Sequence, residues 1–348
     1  TPVIFNLCLI VAAILIAPMY EMPIFVLAWG VLLAGILQLL IQILPLWQIK
    51  RLPVPKINFK NSGLRRFLKL VAPAILAGGI IQINLLVDTI FASLLETGSP
   101  TWLYVSDRLI QFPMGIFAIA IGTVLLPTLS KLDLKNEKIK FIQSVHKGQR
   151  FVIFIAVPSL IGLFFCAEDL ISTIFYRGAF TQIDVLNSSY SLMAFSFGLP
   201  FFMLMKVLTP AFFARKDTKT PMYVAMVSLL LNASLNYYLA FMLDFGHIGI
   251  ALGSSIAALI SVLILEFILY KDGFIKIKSV FNRFNIMILF SSLSLILFLN
   301  FYTNLTNFIE FSQVERLLYL SIEVIISIII YGAVSRLILR KPIQTLFE

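Results

Sequence analysis

The chain has 348 residues, 60% hydrophobic and only 13% charged, with 27 Lys and Arg against 17 Asp and Glu and a mean hydropathy of +0.98. A soluble domain carries about 25% charged residues, so the composition excludes a soluble enzyme, a disordered chain and an ordinary nucleic-acid-binding protein. Cys8 and Cys166 lie in apolar runs without CxxC or Cys/His spacing and read as small core residues, not as a disulfide or metal framework.

A membrane-spanning helix needs about 20 mostly apolar residues. Ten stretches meet that length: 3–20, 24–48, 67–95, 109–130, 151–175, 185–213, 222–243, 247–270, 284–302 and 316–338. They are too long for strands, and the residue-by-residue alternation of a membrane barrel is missing. The expected fold is therefore an all-α polytopic membrane protein of ten transmembrane helices. Pro113, Pro158, Pro200 and Pro210 interrupt several spans and predict kinks or helices that bend during transport.

Lys and Arg gather on alternate connections: Lys50 to Lys69, Lys131 to Arg150, Arg215 to Lys219, Lys271 to Arg283, and Arg336 to Lys341 account for 23 of the 27. The opposite connections carry Glu21, Glu96, Asp107, Glu168, Asp169, Asp184, Asp244, Glu310 and Glu315. Basic loops stay in the cytoplasm, which predicts that both ends of this chain are cytoplasmic.

Ionisable and amide side chains inside the spans cost about 2.5–3.5 kcal/mol for a mid-bilayer charge and so demand a reason. Asp88 and Asn84 share one helical face by their i, i+4 spacing, and Gln82 lies off it. Arg108 stands at the outer mouth of the 109–130 span with Gln111 one turn along. It reads as a snorkelling arginine, a local partner of Asp107, or a fixed cation facing a cavity, where a guanidinium fork suits phosphate oxygens. Lys206 lies mid-run, which favours a bundle-interior position. Asn232 and Asn236 are again i, i+4, facing Ser254 or Ser255 of the next span. Together with a carboxylate they would supply the oxygen set of a hard-cation site, or else they make a polar helix–helix contact; Asp88 itself reads as a polar helix–helix contact or as an ion or proton site. Glu266 and Glu323 suggest no role. His146 and His247 fall on opposite membrane sides, and there is no catalytic set, metal spacing, phosphate loop or nucleotide motif. The chain reads as a transporter, not an enzyme, without a cofactor, driven by an ion such as Na⁺, the membrane potential or the substrate's own gradient.

Two segments look alike. Thr1-Pro2 and Thr220-Pro221 each open an apolar helix, and Leu27-Ala28-Trp29-Gly30 and Ile250-Ala251-Leu252-Gly253 sit in the helices that follow. A parallel repeat of six-helix units is expected from this. The first two spans would then end an earlier unit whose first four helices lie upstream of Thr1.

Two longer strings carry a family likeness. Asp107-Arg108-Leu109-Ile110-Gln111-Phe112-Pro113-Met114-Gly115-Ile116-Phe117, continuing through Gly122-Thr123-Val124-Leu125-Leu126-Pro127-Thr128-Leu129-Ser130-Lys131, is one. Lys206-Val207-Leu208-Thr209-Pro210-Ala211-Phe212-Phe213-Ala214-Arg215-Lys216-Asp217-Thr218-Lys219-Thr220-Pro221 is the other, with Phe175-Tyr176-Arg177-Gly178-Ala179-Phe180-Thr181 between them. Together they resemble the MurJ/MviN family of lipid II flippases over essentially the whole chain.

The resemblance implies the two-lobe architecture of the multidrug/oligosaccharidyl-lipid/polysaccharide exporter superfamily, with these ten spans as family helices 5–14 and the first lobe incomplete. On that map 1–50 ends the N-lobe, 51–66 is a cytoplasmic inter-lobe linker, 67–271 is a six-helix C-lobe, 284–338 holds two extra helices forming a lipid-tail groove, and 339–348 is a cytoplasmic tail. It implies translocation of the undecaprenyl-pyrophosphate-linked peptidoglycan precursor, lipid II, to the outer leaflet of the bacterial cytoplasmic membrane, in service of cell-wall biogenesis. The family's cavity arginine falls on Arg108, and Arg108, Gln111 and Lys206 are the candidate substrate contacts. Some relatives place a Na⁺ site where Asp88, Asn232, Asn236 and Ser254 stand; Asn236 replaces an acid there. The implied partners are lipid II, membrane lipids and cell-wall synthesis proteins, with no nucleic acid. Competing readings are an exporter of other lipid-linked oligosaccharides or drugs, and a non-transporting cell-wall scaffold.

Overall fold

A computed structural model of the chain describes residues 2–49, 62–134, 136–275, 283–303, 305–306 and 308–339. The expected linker over 51–66 and tail over 339–348 lie largely outside these residues, as do Lys50, Lys135, Lys276 and Lys278. Every regular element among the described residues is helical. The chain divides into two units, Thr1–Arg65 and Arg66–Glu348.

In the first unit α1 (Pro2–Val11) runs into a π-turn (Ala12–Ile16) and a 3-10 turn (Ala17–Met19), and α2 (Pro23–Gln48) packs back against it. Gly30 allows the approach: a Cβ there would stand 3.0 Å from the Ala12 Cβ. In the second unit α10 (Lys219–Tyr237) also ends in a π-turn (Tyr238–Met242), and α11 (Gly246–Lys271) packs on it through Gly249 and Gly253. A Cβ on Gly249 would reach the Ala240 backbone nitrogen at 2.7 Å. The helix pairs that look alike in sequence thus share a π-turn and a glycine contact. Lipid offers no hydrophobic gain for association, so small residues that let backbones approach are what hold such pairs together.

In chain order α2 is followed by α3 (Ser62–Ser93), α4 (Ser99–Pro113), α5 (Ile119–Ser130), α6 (Lys138–Phe165), α7 (Ala167–Phe175), α8 (Gln182–Ser196) and α9 (Leu199–Ala214), and α11 by α12 (Arg283–Thr303) and α13 (Gln313–Leu339). The main core joins α4, α5, α6, α8, α9 and α11. Helix α9 buries two faces at four-residue spacing, Leu199, Met203, Val207 and Ala211 on one, Leu204, Leu208 and Phe212 on the other. Gly148 of α6 fits against Val207, where a Cβ would lie 3.1 Å from its Cγ1.

Seven helices among the described residues are long and apolar enough to cross a membrane, or eight if a bent pair counts as one span. Two more of the ten expected spans correspond to shorter apolar stretches among these residues, Val3–Met19 and the Gly78–Ser93 part of α3. Other expected boundaries move for identifiable reasons. The span expected at 109–130 starts at Ser99 and continues to Ser130, so Arg108 sits within the helix and not at its mouth. Pro113 lacks the N–H that would bond one turn back, and the chain relaxes through a π-turn (Met114–Ala118) before α5. The span expected at 151–175 is α6, which begins earlier at Lys138, followed by a separate short α7 after Cys166. The run 185–213 is two helices, α8 and α9, bent by 43°. Pro200 enters the first turn of α9 beside Gly198, whose missing Cβ would stand 2.6 Å from the Ser255 Oγ.

Candidate functional site

Helices α3, α4, α9 and α11, with Phe195 of α8, line an open cavity of about 590 Å³ in the second unit. Its wall carries Asn84, Asp88, Asp107, Arg108, Gln111 and Ser254, set among Leu103, Ile110, Phe202 and Ile250. A concave pocket of mostly apolar wall with a few converging polar groups is the usual form of a ligand site.

Helix α4 delivers the cationic side. Gly98, at φ +108°, opens the helix, and a Cβ there would collide with Trp102 at 2.6 Å. Trp102 is buried and its Nε1–H donates to Asp184 Oδ1 at 2.7 Å; the Ser106 Oγ–H donates to the Ser188 carbonyl at 2.7 Å. These bonds lock the buried face of α4 onto α8 and turn Tyr104, Arg108 and Gln111 the other way. Arg108 is exposed, and its guanidinium carbon lies 4.6 Å from the Tyr104 ring centroid. Asp107 does not pair with it; the Gln111 Nε2–H donates to Asp107 Oδ2 at 3.4 Å. Among the described residues the ion pairs are Lys140–Glu137 and Arg215–Asp272, so Arg108 keeps its fork unpaired.

The expected polar cluster assembles at the other side. Asn232 and Asn236 are fully buried on α10, and each donates from Nδ2 to Asp88 Oδ1 at 2.6 Å. Asn232 Nδ2 also reaches Asn84 Oδ1 at 3.0 Å, and the Ser254 Oγ–H lies 3.4 Å from Asp88 Oδ2 and 3.1 Å from Asn232 Oδ1. Three helices thus converge on one carboxylate, with amide and hydroxyl donors replacing the water it lost. The Asn236 Oδ1 is buried without a hydrogen-bond partner. It faces Gly253, where a Cβ would clash with it.

Lys206 does not join this group. Its side chain is exposed on the one face of α9 that the two buried stripes leave free, and it is not part of the cavity wall. The bundle-interior position expected from its mid-run location is not found within this unit. Ser255 bonds the Ala194 and Ala251 carbonyls and takes no part either. Glu266 accepts a hydrogen bond from Gln149 Nε2 at 2.9 Å, and Glu323 is fully buried beside Cys166. Sequence reasoning missed Tyr104, although an aromatic residue four positions before an arginine on a helix is a readable cation–π signal.

The family model described as "Lipid II flippase MurJ" matches residues 1–319. A "Probable lipid II flippase MurJ" of Vibrio cholerae serotype O1 is 40% identical over 273 residues, 78% of this chain and 52% of that protein. The "Lipid II flippase MurJ" of Burkholderia cenocepacia is 32% identical over 298 residues, 84% of this chain and 57% of that protein. The chain spans about half the length of the curated relatives it matches. Among solved structures, "Lipid II flippase MurJ, inward closed conformation" superposes with a TM-score of 0.73 at 28% identity, covering 97% of this chain and 66% of the other. A multidrug resistance MATE family transporter shares the fold at a TM-score of 0.50 and 13% identity, over 68% of this chain and 54% of the other. Bacterial relatives and repeated apolar helices mark a multi-pass bacterial membrane protein. The chain belongs to the MurJ family of lipid II flippases.

Proposed function

We propose that this chain takes part in moving lipid II, the undecaprenyl-pyrophosphate-linked peptidoglycan precursor, from the inner to the outer leaflet of the cytoplasmic membrane by alternating access. The observation that carries the reading is Arg108, an exposed guanidinium without an ion-pair partner among the described residues, on the wall of a cavity inside a membrane-spanning bundle. A pyrophosphate cannot cross about 30 Å of hydrocarbon unaided. A wet cationic cleft stands in for its hydration, and the planar fork of Arg108, with Gln111 beside it, suits diphosphate oxygens bidentately. Lys206 is a further candidate contact for the headgroup when the substrate passes its exposed face.

The polyprenyl tail needs an apolar path. Helices α12 and α13 border a second cavity of about 590 Å³ lined by Ile286, Phe290, Leu293, Leu297, Val334 and Leu337, which supports their role as the tail groove. Membrane lipids and cell-wall synthesis proteins are the partners we assign. The basic residues on alternate connections support cytoplasmic chain ends and attraction to anionic headgroups, worth about 1 kcal/mol per residue near the surface.

Na⁺ is the coupling ion we assign, with the membrane potential as the alternative driving force. The donor set fits a monovalent cation: one carboxylate, Asp88, with Asn232, Asn236 and Ser254, and an Asn236 Oδ1 left without a hydrogen bond. The amides now turn their nitrogens toward Asp88, and rotating them would present oxygens to the ion.

Leaflet exchange in cells depleted of their own lipid II flippase tests the function. The gene with Arg108 should restore delivery of lipid II to the outer leaflet, and Arg108→Ala should lose it. Normal exchange with Arg108→Ala would favour a scaffold, and rescue confined to a different lipid-linked sugar would favour another exporter.

A further inference from the structure

A second group of ionisable side chains lies away from the cavity, where the junction of α6 and α7 meets α13. Glu323 of α13 is fully buried. Its Oε1 accepts a hydrogen bond from the Cys166 Sγ at 3.1 Å, while its Oε2 is buried without a partner. Asp169, in the first turn of α7, is 7% exposed, and its Oδ2 is likewise buried without a partner. The surroundings are apolar: Ile161, Leu295, Leu299 and Tyr331 form the adjoining core.

The neighbouring titratable groups do not neutralise the two acids. Glu168 on α7 is a third carboxyl, and Tyr302 of α12 and Tyr319 of α13 are the nearby phenols. Arg316, two turns before Glu323 on α13, directs Nε to the Phe308 carbonyl at 2.7 Å and its fork to the Ser172 carbonyl at 3.4 Å, and lies 4.8 Å over the Tyr176 ring. On α8, which also packs on α7, Asp184 is held by Trp102 and Thr181. Glu310, in the 3-10 turn before α13, is exposed. Two ionised carboxylates in such a place repel each other and lack solvation, and a single proton removes the repulsion together with one of the two desolvation costs.

We propose that Asp169 and Glu323 form a proton-binding pair that holds one proton at neutral pH and so clamps α13 to α7. Burial, and after it the nearby Glu323 carboxyl, push the Asp169 carboxyl up to about 8. The two sites titrate as a unit. When the proton leaves to bulk water, two like charges face each other across the α7–α13 seam. Helix α13 also supplies Val334 and Leu337 to the apolar groove, so protonation at the seam sets how firmly one wall of that groove is held. This goes beyond the flippase reading and stands independently of Arg108.

Infrared difference spectroscopy of the full chain in lipid, with Asp169→Asn, Glu323→Gln and the double variant, tests the pair. The parent should show a protonated carboxylic C=O band at neutral pH that bleaches as the pH rises through about 8. Glu323→Gln should move the midpoint to lower pH, because the like-charged neighbour is gone, Asp169→Asn should lose the parent's midpoint, and the double variant should lack the band. In a Cys8→Ser background, thiol labelling of Cys166, normalised to a free thiol, should rise across the same transition in the parent and stay flat in the double variant. A missing band at neutral pH, single variants with the parent's midpoint, bleaching by Na⁺ at constant pH, or labelling that ignores the transition would each overturn the proposal.

Discussion

Arg108 and Tyr104, one turn apart on α4, stack with 4.6 Å between guanidinium carbon and ring centroid at the edge of the cavity. The guanidinium carbon lies over the ring, and no ion pair among the described residues occupies its N–H groups, which leaves them to grip a diphosphate. Such stacking contributes about 0.5–1 kcal/mol at exposed sites and about 2 when desolvated. Tyr104→Ala should therefore weaken lipid II binding roughly twofold to thirtyfold at 1.4 kcal/mol per decade, and Tyr104→Phe should leave it nearly unchanged. Native mass spectrometry of the complex reads both.

Arg108 itself should matter more. A hydrogen bond to a charged group contributes about 1.5–3 kcal/mol, so Arg108→Ala should cost at least tenfold in the same measurement. Arg108→Lys restores the charge without the fork and should recover only part of it.

Much of this site was legible from spacing. The i, i+4 spacing paired Asn84 with Asp88 and Asn232 with Asn236, the family resemblance set Asp88, Asn232, Asn236 and Ser254 together, and α3, α10 and α11 bring these residues together. Arg108 and Gln111 share the cavity because one turn separates them. The face that carries Lys206 was not legible, because an apolar run looks alike on every face; only the stripes through Met203 and Leu204 reveal which face of α9 this unit leaves free. The start of α4 was hidden because Ser106, Asp107 and Arg108 dilute the apolar signal, although Ser99-Pro100 is a helix-opening pair. The Cys166–Glu323 contact joins residues 157 apart, and no periodicity within one helix reports it.

The α10–α11 seam depends on a missing methyl group. Gly253→Ala places a Cβ against Asn236 Oδ1 and should destabilise the protein by about 1–3 kcal/mol, the usual cost of overpacking. Gly162→Ala in α6 meets nothing within 4 Å and should be neutral or stabilising by up to about 1 kcal/mol. Thermal unfolding in one detergent compares the two.

If Asp88 holds the coupling ion, Asp88→Asn should abolish any Na⁺ dependence of lipid II exchange in vesicles, and Ser254→Ala should raise the Na⁺ concentration required. Exchange that ignores Na⁺ in the parent would remove the ion from the mechanism.

Stability should also depend on pH through Asp169. Its carboxyl is raised to about 8 in the fold, chiefly by burial, above its ordinary value of 3.8. Between these values the folded state binds more protons than the unfolded state, so this group makes stability fall as pH rises. Melting temperature in detergent should decline from mildly acidic to mildly alkaline pH, and Asp169→Asn should flatten that decline.

Photocrosslinking follows the headgroup's route itself. With benzoylphenylalanine at position 101, where Thr101 lines the cavity, lipid II should crosslink to the chain, and Arg108→Ala should suppress the product. The same probe at the exposed Tyr223 of α10 should give little. Equal crosslinking from both positions, indifferent to Arg108, would show that the diphosphate does not pass by the guanidinium.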